Sequence, residues 1–253
     1  MQHSILILGG TTEARLLAEA LAGQNRFTTA LSLAGRTRAP IAMPVPVRTG
    51  GFGGAQGLAA YLTDHDIKML IDATHPYAAQ ISHNAAEASR ISGIPLVALR
   101  REGWVEREGD RWRQVESVEA AVSALGENPR RAFLALGRQE LLPFEKASQH
   151  DYTIRSVDPV EPPLDVPSAH YITARGPFRE ADELTLLSQH GIDAIVSKNS
   201  GGTASYGKIA AARTLGVEVI MIRQPELPQV TSFESVEAVL AHLDQIFPAE
   251  RGE

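Results

Sequence analysis

Residues 5–14 read ILILGGTTEA, and this stretch carries the pattern that decides the fold. Four consecutive apolar residues indicate a strand that is buried on both faces, as in a parallel sheet. The glycines and threonines that follow indicate a tight turn into a helix. Such a turn predicts a phosphate-binding site, because backbone N–H groups and the positive end of the helix dipole face the bound anion.

The turn matches the dinucleotide fingerprint G-x-G-x-x-G/A in part, with Gly9, Thr11 and Ala14 in the three fixed places. Gly9 and Gly10 would let the backbone approach a pyrophosphate closely. The hydroxyls of Thr11 and Thr12 would donate to it or simply cap the helix. A strand, turn and helix without a ligand is the alternative interpretation.

Apolar runs and helical patterns then alternate almost to the end of the chain, which indicates parallel α/β units. The predicted strands are Ile5–Leu8, Thr28–Leu33, Met69–Asp72, Leu96–Leu99, Ala132–Leu136, Tyr152–Val157, Ala194–Lys198 and Val219–Ile222. The predicted helices are Thr12–Ala22, Gly57–His65, Ala78–Ser92, Ser117–Leu125, Glu180–His190, Ile209–Leu215 and Ser235–Ile246.

Two stretches interrupt the apolar pattern and are candidate connections. Gly103–Arg113 is charged, and Asp158–Pro167 is rich in proline and acidic residues. We place a domain junction near residue 100 and predict that the proline-rich stretch is a stiff surface loop, with a lid as the alternative. We find no internal sequence repeat.

Composition excludes several classes of function. The 253 residues carry a formal charge of −6 and no cysteine, so no disulfide, thiolate nucleophile or Cys-type zinc site is expected. The acidic balance argues against a nucleic-acid partner. No apolar run approaches the roughly 18 residues of a membrane span, and no signal peptide is recognisable, so we expect a soluble cytoplasmic protein without a membrane partner. The eight histidines form no ligand cluster, and no metal is predicted.

The second strand ends in SLAGRT, residues 32–37, without the acidic residue that binds a ribose 2′-hydroxyl in NAD sites. Arg36 stands there instead. An arginine pairs with a 2′-phosphate, which favours NADP, although a solvated surface arginine is the alternative. Ser32 or Thr37 could share this role.

The third strand runs into Asp72–Ala78, which again opens a helix. Ligands of doubly wound sheets gather at such carboxyl ends. Thr74 and His75 are candidate cofactor contacts, Pro76 restricts the turn, and Tyr77 could pack near the nicotinamide. A cap for the following helix is the alternative role for His75.

A strand followed by a glycine-rich turn recurs in the C-terminal half. Lys198, Asn199, Ser200 and Gly201 combine a cation, hydrogen-bonding side chains and a glycine that suit a carboxylate or phosphate. A polar loop is the alternative. Further candidates for the same anionic ligand lie elsewhere in this half, although the last could be an outward-facing helix residue: Arg138, Arg175, Tyr206 and Lys208.

Six segments in order resemble the precorrin-6A reductase family, and together they extend over nearly the whole chain. They are ILILGGTTEARLLA, SLAGRT, DATHPYAAQISHNA, LALGRQEL, RGPF and SKNSGG. DATHPYA and SKNSGG are the most specific, since many nucleotide-binding proteins share the first turn.

The resemblance implies two Rossmann-like parallel-sheet domains, residues 1–100 and 101–253, with the active cleft between them. It implies NADPH-dependent reduction of a ring double bond in a polycarboxylate tetrapyrrole, precorrin-6A, to precorrin-6B in cobalamin biosynthesis. Cofactor phosphates would lie near Gly10–Thr12, and the nicotinamide near Thr74–Tyr77. Lys198, Tyr77 and His75 are the candidate catalytic residues, with Lys198–Gly201 facing the macrocycle.

Other functions remain open at this point. A short-chain dehydrogenase would need Tyr-x-x-x-Lys, and none of the five tyrosines has a lysine four residues later. A cobalt-precorrin-6A reductase differs only in whether the macrocycle carries cobalt. A non-catalytic nucleotide-binding module would bind NADPH without consuming it. The sequence leaves the oligomeric state undetermined.

Overall fold

A computed structural model describes residues 2–35 and 42–248, and the chain divides into two compact units. The first unit takes the chain up to Glu102 and again from Pro225, and the second is Gly103–Gln224. The first crossing therefore lies near the expected junction at residue 100. The second unit ends at Gln224 rather than at residue 253, because the C-terminal segment returns to the first unit.

The described strands are short and all pair in parallel. They are β1 His3–Leu8, β2 Phe27–Leu33, β3 Val47–Thr49, β4 Met69–Asp72, β5 Leu96–Leu99, β6 Trp112–Val115, β7 Arg131–Ala135, β8 Asp151–Ser156, β9 Ala169–Thr173, β10 Ala194–Lys198, β11 Glu218–Ile222 and β12 Ser232–Phe233.

Helices connect these strands. They are α1 Thr12–Ala22, α2 Gly54–Asp64, α3 Ala79–Ser92, α4 Val118–Leu125, α5 Glu180–Gln189, α6 Gly207–Leu215 and α7 Val236–Ile246, with 3-10 helices at Arg138–Glu140 and Leu142–Ala147. None of those within residues 2–35 and 42–248 is long and apolar enough to cross a membrane.

The sheet of the first unit has the order β3-β2-β1-β4-β5-β12. Side chains of β1 alternate between its two faces, and both faces are covered. Ile5 and Ile7 pack in a core with residues of α1 and α7, whereas Leu6 and Leu8 pack with residues of α2 and α3. This double burial explains why the strand is an uninterrupted apolar run.

The second unit repeats this strand order as β9-β8-β7-β10-β11-β6. Phe133 of β7, Ile195 of β10 and Val219 of β11 pack with buried residues of α5 and α6. Both orders follow the Rossmann pattern 3-2-1-4-5-6. The prediction of two Rossmann-like parallel-sheet domains is thus confirmed.

In each sheet, the sixth strand is not the strand that follows the fifth one in sequence. β6 follows β5 in sequence but pairs with β11, and β12 follows β11 but pairs with β5. Each exchanged strand leads into ESVEA, residues 116–120 and 234–238, and a serine then caps the next helix. The prediction that the chain has no internal repeat is therefore wrong. The two identical pentapeptides lie 118 residues apart.

Four strands are absent from the predicted set: β3, β6, β9 and β12. The first three have no fully buried residue, and β12 contains two residues, neither of them fully buried. Each lies at the edge of its sheet. An apolar run marks a strand only where it is buried, so these edges leave little signal.

Candidate functional site

The glycine turn lies at the switch point of the first sheet. From β1 the strand order runs outward to β2 on one side and to β4 on the other. Ligands of open α/β sheets bind at the carboxyl ends of the strands at such a point. The turn Gly9–Thr12 after β1 and the turn Ala73–Tyr77 after β4 are therefore brought together, as the sequence predicts.

The two glycines of the first turn are needed for different reasons. A Cβ at Gly9 would lie 2.5 Å from Cδ1 of Leu31 and 3.3 Å from Cβ of Ala14, so a side chain there would require Leu31 to shift. Gly10 has open space around it, but its φ of +124° is a conformation that L-residues rarely adopt. The turn therefore keeps its backbone bare at the helix N-terminus.

Thr11 ties the two turns together. Its Oγ1 accepts from the N–H of Ala14 at 3.1 Å as the N-cap of α1 and donates to the carbonyl of Ala73 at 2.9 Å. Thr12 is exposed in the first helical turn, where N–H groups have no acceptor within the helix. That end of the helix suits a phosphate group.

The second turn is organised by Asp72, which is 3% exposed. Its Oδ1 accepts from the N–H of Thr74 at 3.2 Å and from the Thr74 hydroxyl at 2.7 Å. This role of Asp72 is not among the predicted ones. Its position as the last residue of a buried strand is the signal that marks it as a turn-forming group.

His75 shapes the same turn from the other side. Its Nδ1 accepts from the N–H of Tyr77 at 3.3 Å, and its carbonyl accepts from Ala78 at 2.7 Å. Pro76 is buried, whereas His75 and Tyr77 are half-buried with ring centroids 5.6 Å apart. The N-cap of α3 is Ala78 and has no side-chain hydrogen bond, so the alternative of His75 as a cap for this helix is wrong. The bond from Tyr77 lies within the turn, and the ring of His75 remains partly accessible.

A pocket at this point is lined by Thr11, Thr74 and Pro76, all predicted, and by four residues that the sequence analysis misses: Glu13, Leu99, Arg100 and Arg101. The missed arginines directly follow β5. The rule that ligands gather at strand ends applies to β5 as it does to β4 and would have found them.

The two arginines are held differently. Arg101 donates to both carboxylate oxygens of Glu13, at 2.7 and 2.9 Å. Arg100 donates from Nη1 to the carbonyl of Pro228 at 2.8 Å, and its Nη2 lies 3.8 Å from Oδ2 of Asp72. Its Nε and Nη2 are buried without a hydrogen-bond partner in the described part of the chain. Buried N–H groups of this kind are costly unless a water or ligand group satisfies them.

Ser32 lies at the end of β2 and is 5% exposed. Arg36 and Thr37 lie outside the described residues. Arg48, which the sequence analysis misses, lies 3.4 Å from the Ser32 hydroxyl, donates to the carbonyls of Gly50 and Gly51 at 2.6 Å each, and stacks 3.7 Å from the centroid of Phe52. The guanidinium of Arg48 is therefore close to the strand end at which a 2′-phosphate is expected.

The second sheet has its own switch point, between β7 and β10. Lys198 ends β10 and forms an ion pair with Glu140, whose other oxygen accepts from the N–H of Gly137 at 3.1 Å. Arg138 opens the 3-10 helix after β7 and is half-buried. Arg175 is exposed just beyond β9. These three of the four predicted cations of this unit thus lie at or beyond the carboxyl ends of strands of one parallel sheet.

The glycine-rich turn after Lys198 has a left-handed backbone, with φ of +64° at Gly201 and +72° at Gly202. Ser200 is 9% exposed, and its N–H donates to the carbonyl of Lys198 at 2.9 Å. The side chain of Asn199 is engaged with the backbone of Trp104. Asn199 therefore holds the turn in place through both atoms of its amide.

Tyr206 and Lys208 both form hydrogen bonds within the second unit. The Tyr206 hydroxyl accepts from Arg213 at 2.6 Å. Lys208 is 4% exposed and donates to the carbonyl of Ser205 at 2.8 Å. Burial, together with the positive charge of Arg155, lowers the pKa of Lys208 to about 7, although Glu183 opposes the shift. The outward-facing alternative for Lys208 is therefore wrong.

Arg155 and Glu183 form a buried ion pair at 7% and 2% exposure, with Nη2 and Oε2 2.9 Å apart. The guanidinium of Arg155 stacks 3.6 Å from the ring centroid of Phe178, part of the RGPF segment. Neither residue of this pair is among the predicted site residues. Its two members are 28 residues apart and carry no local motif.

Comparison with known proteins gives consistent matches. Residues 4–244 match a family described as precorrin-6x reductase CbiJ/CobK. A precorrin-6A reductase of Sinorhizobium sp. is 59% identical, covering 94% of this chain and 92% of its own. The solved structure of a CobK precorrin-6A reductase superposes with a TM-score of 0.93 at 45% identity over the whole of both chains. A cobalt-precorrin-6A reductase of Methanothermobacter thermautotrophicus is 30% identical, covering 88% of this chain and 77% of its own.

Proposed function

The chain belongs to the precorrin-6x reductase family, and from this premise we propose that it reduces precorrin-6A in cobalamin biosynthesis with a hydride taken from NADPH. The observation that carries the activity is the close identity to a precorrin-6A reductase over almost the full length of both chains. The choice of NADPH and the roles of individual residues rest on the two strand-end sites.

The residues of the first unit fit a dinucleotide. Gly9 and Gly10 leave bare backbone at the N-terminus of α1, where a pyrophosphate would accept hydrogen bonds. The unsatisfied Nε and Nη2 of Arg100 form one edge of its guanidinium, which suits an oxygen acceptor in the adjoining pocket. Arg36 and Arg48 supply positive charge for a 2′-phosphate, which favours NADPH over NADH.

The residues of the second unit suit a substrate with several carboxylates. Lys198, Arg138 and Arg175 follow strands of one sheet, and the left-handed turn at Gly201 and Gly202 would add backbone N–H groups. The protein as a whole has a formal charge of −6, so this local cluster would direct an anionic macrocycle to one place.

NADPH, when bound, supplies the hydride to one atom of the ring double bond while a proton reaches the other, and NADP⁺ is released. The protein contributes alignment, and positioning alone can supply roughly 7–11 kcal/mol of a barrier. Thr74, His75 and Tyr77 would orient the nicotinamide end of the cofactor. Lys198 would hold a substrate carboxylate and exchange its present partner, Glu140, for it.

We expect Lys198→Ala to raise the KM for precorrin-6A by about 10-fold or more, because hydrogen bonds to charged groups contribute about 1.5–3 kcal/mol. The dissociation constant for NADPH, measured by fluorescence titration, should stay unchanged. Lys146→Ala is the matched control, since Lys146 is exposed and follows no strand end. Unchanged kinetics for Lys198→Ala would remove this residue from the substrate site.

A cobalt-precorrin-6A reductase is the second candidate, because a relative of that name is 30% identical to this chain. The higher identity to a precorrin-6A reductase favours the metal-free substrate. Turnover of the two substrates side by side separates these activities. Faster turnover of the cobalt-containing macrocycle would reverse the assignment.

A further inference from the structure

Trp104 lies against the glycine-rich turn of the second unit, although it is 95 residues from Asn199 in sequence. It is the second residue of this unit and belongs to the charged stretch that the sequence analysis treats as a connection. Its side chain is half-buried. No function described so far uses it.

Trp104 and Asn199 are joined by a reciprocal pair of hydrogen bonds. The N–H of Trp104 donates to Oδ1 of Asn199 at 2.6 Å, and Nδ2 of Asn199 donates to the carbonyl of Trp104 at 2.8 Å. The approach is close, because a Cβ at Gly103 would lie only 3.0–3.1 Å from atoms of the Asn199 amide. Asn199 is therefore fixed in both position and orientation.

The indole of Trp104 holds the other end of the turn. Its Nε1 donates to the carbonyl of Gly202 at 2.7 Å. Nζ of Lys208 lies 4.8 Å from the indole ring, and the ring of Tyr206 meets it edge-on at 5.8 Å. One side chain thus spans the turn from Asn199 to Gly202, and its ring packs against the beginning of α6.

The segments at the beginning and at the end of the second unit both contact Asn199. Gln224, the last residue of this unit, donates from Nε2 to the carbonyl of Asn199 at 2.8 Å. The entering connection supplies Trp104 and the leaving connection supplies Gln224. The turn is thereby tethered to two segments that are remote from it in sequence, beyond what its own strand and helix provide.

We propose that Trp104 is a positioning residue for substrate binding, which holds the turn Lys198–Gly202 in its binding-competent arrangement through Asn199 and the carbonyl of Gly202. This role rests on the proposed assignment of the turn to the substrate. When a turn is competent only part of the time, the apparent affinity falls by that fraction, whereas saturating substrate restores the competent form. The proposal therefore predicts a change in KM with little change in kcat.

The chain offers a matched control in its other tryptophan. Nε1 of Trp112 is buried without a hydrogen-bond partner among residues 2–35 and 42–248. Trp104→Phe and Trp112→Phe thus remove the same indole N–H, but only the first removes a hydrogen bond to the turn. Asn199→Asp is a second test, because it keeps the acceptor for the N–H of Trp104 and loses the donor to the Trp104 carbonyl. Asn199→Leu loses both bonds and adds no negative charge that would repel the substrate carboxylates.

The experiment measures steady-state kinetics with precorrin-6A, NADPH affinity, and hydrogen exchange of residues 199–206. For Trp104→Phe we expect a KM raised about 10-fold, as one lost hydrogen bond and an unsatisfied carbonyl imply, with kcat within about two-fold of wild type. Exchange of the turn should be faster in the free enzyme and slow again with substrate bound. Asn199→Asp should move in the same direction, and Trp112→Phe should match wild type.

Faster exchange of the turn with an unchanged KM in Trp104→Phe and Asn199→Asp would make the contact merely structural and overturn the proposal. If Trp104→Phe does not fold, the KM of Asn199→Leu decides. A different result contradicts the proposed substrate site. If Lys198→Ala changes nothing, the turn is not the substrate site, whereas a raised KM in Lys198→Ala alone would overturn only the role of Trp104.

Discussion

Gly10 is needed because its backbone adopts a positive φ. Gly9 is needed because a side chain there would clash with Leu31. Both requirements follow from the single turn that joins β1 to α1, yet only the presence of two adjacent glycines is visible in the sequence. The φ of +124° at Gly10 and the 2.5 Å approach to Leu31 at Gly9 are properties of the folded turn. The sequence predicts the turn and a cofactor-binding role for it. The structure shows why each of the two glycines is needed.

Gly10→Ala tests this turn at the scale of one residue. The added Cβ meets open space, but the positive φ opposes it, so we expect a loss of stability of about 1–2 kcal/mol. NADPH affinity should fall as well, since the backbone would shift where the pyrophosphate is proposed to bind. Urea unfolding and fluorescence titration measure the two effects.

Gly23→Ala is the control for Gly10→Ala, because Gly23 has φ −80° and open space for a Cβ. There we expect unchanged NADPH affinity and equal or slightly greater stability. If Gly10→Ala bound NADPH as tightly as Gly23→Ala does, the first turn would not be the cofactor site.

Lys208 gives a prediction about pH. Its pKa in the folded protein is lowered to about 7, mainly by burial, whereas an unfolded chain has a lysine pKa near 10.4. Between these values the unfolded chain holds a proton that the folded chain has released, so stability should rise with pH. From pH 7 to pH 9 this contribution is on the order of 2 kcal/mol.

Lys208→Met should remove that part of the rise, and the exposed Lys146→Met should retain it. Urea unfolding at pH 7 and pH 9 on the three proteins gives the comparison. An equal rise in wild type and Lys208→Met would show that Lys208 is charged throughout this range in the folded state.

At the scale of secondary-structure elements, the buried strands are predictable and the edge strands are not. β1, β4 and β10 have apolar runs because both of their faces are covered, and they also carry the turns at the candidate sites. The exchange of β6 and β12 between sheets is invisible to local pattern, since strand partners far apart in sequence leave no periodic signal. The repeated ESVEA is the trace that a search for repeats would use.

The repeat predicts matched effects on two helices. Ser117 accepts from Ala120 N–H at 3.1 Å, and Ser235 accepts from Ala238 N–H at 3.2 Å, each as an N-cap. Ser117→Ala and Ser235→Ala should each cost about 1 kcal/mol of unfolding free energy. Hydrogen exchange should assign the first loss to the second unit and the second loss to the first unit.

Ser123→Ala serves as the control for the two caps, because Ser123 is exposed within α4 and its hydroxyl donates to the carbonyl four residues earlier. We expect no loss of stability there. A loss in the same unit for both cap variants would contradict the exchange of the sixth strands and the helices that follow them.

For the whole molecule, composition and strand order favour a binding protein of the Rossmann class, and the ordered motifs narrow this to one family. The cations that follow the strands of both sheets are only partly predictable. Lys198 and Arg138 belong to recognisable turns, whereas Arg48 and Arg100 are ordinary arginines until neighbouring strands bring them beside Ser32 and Asp72. Long-range pairing supplies the part of each site that local sequence does not contain.

The central claim is that NADPH is consumed in reducing precorrin-6A. Anaerobic mixing of the purified protein with precorrin-6A and NADPH, followed by absorbance of the reduced nicotinamide, tests it most directly. NADH and the cobalt-containing macrocycle serve as parallel comparisons. We predict consumption of one NADPH per precorrin-6A, with slower consumption in both comparisons. Tight NADPH binding without consumption by either macrocycle would contradict the account and leave a nucleotide-binding module in its place.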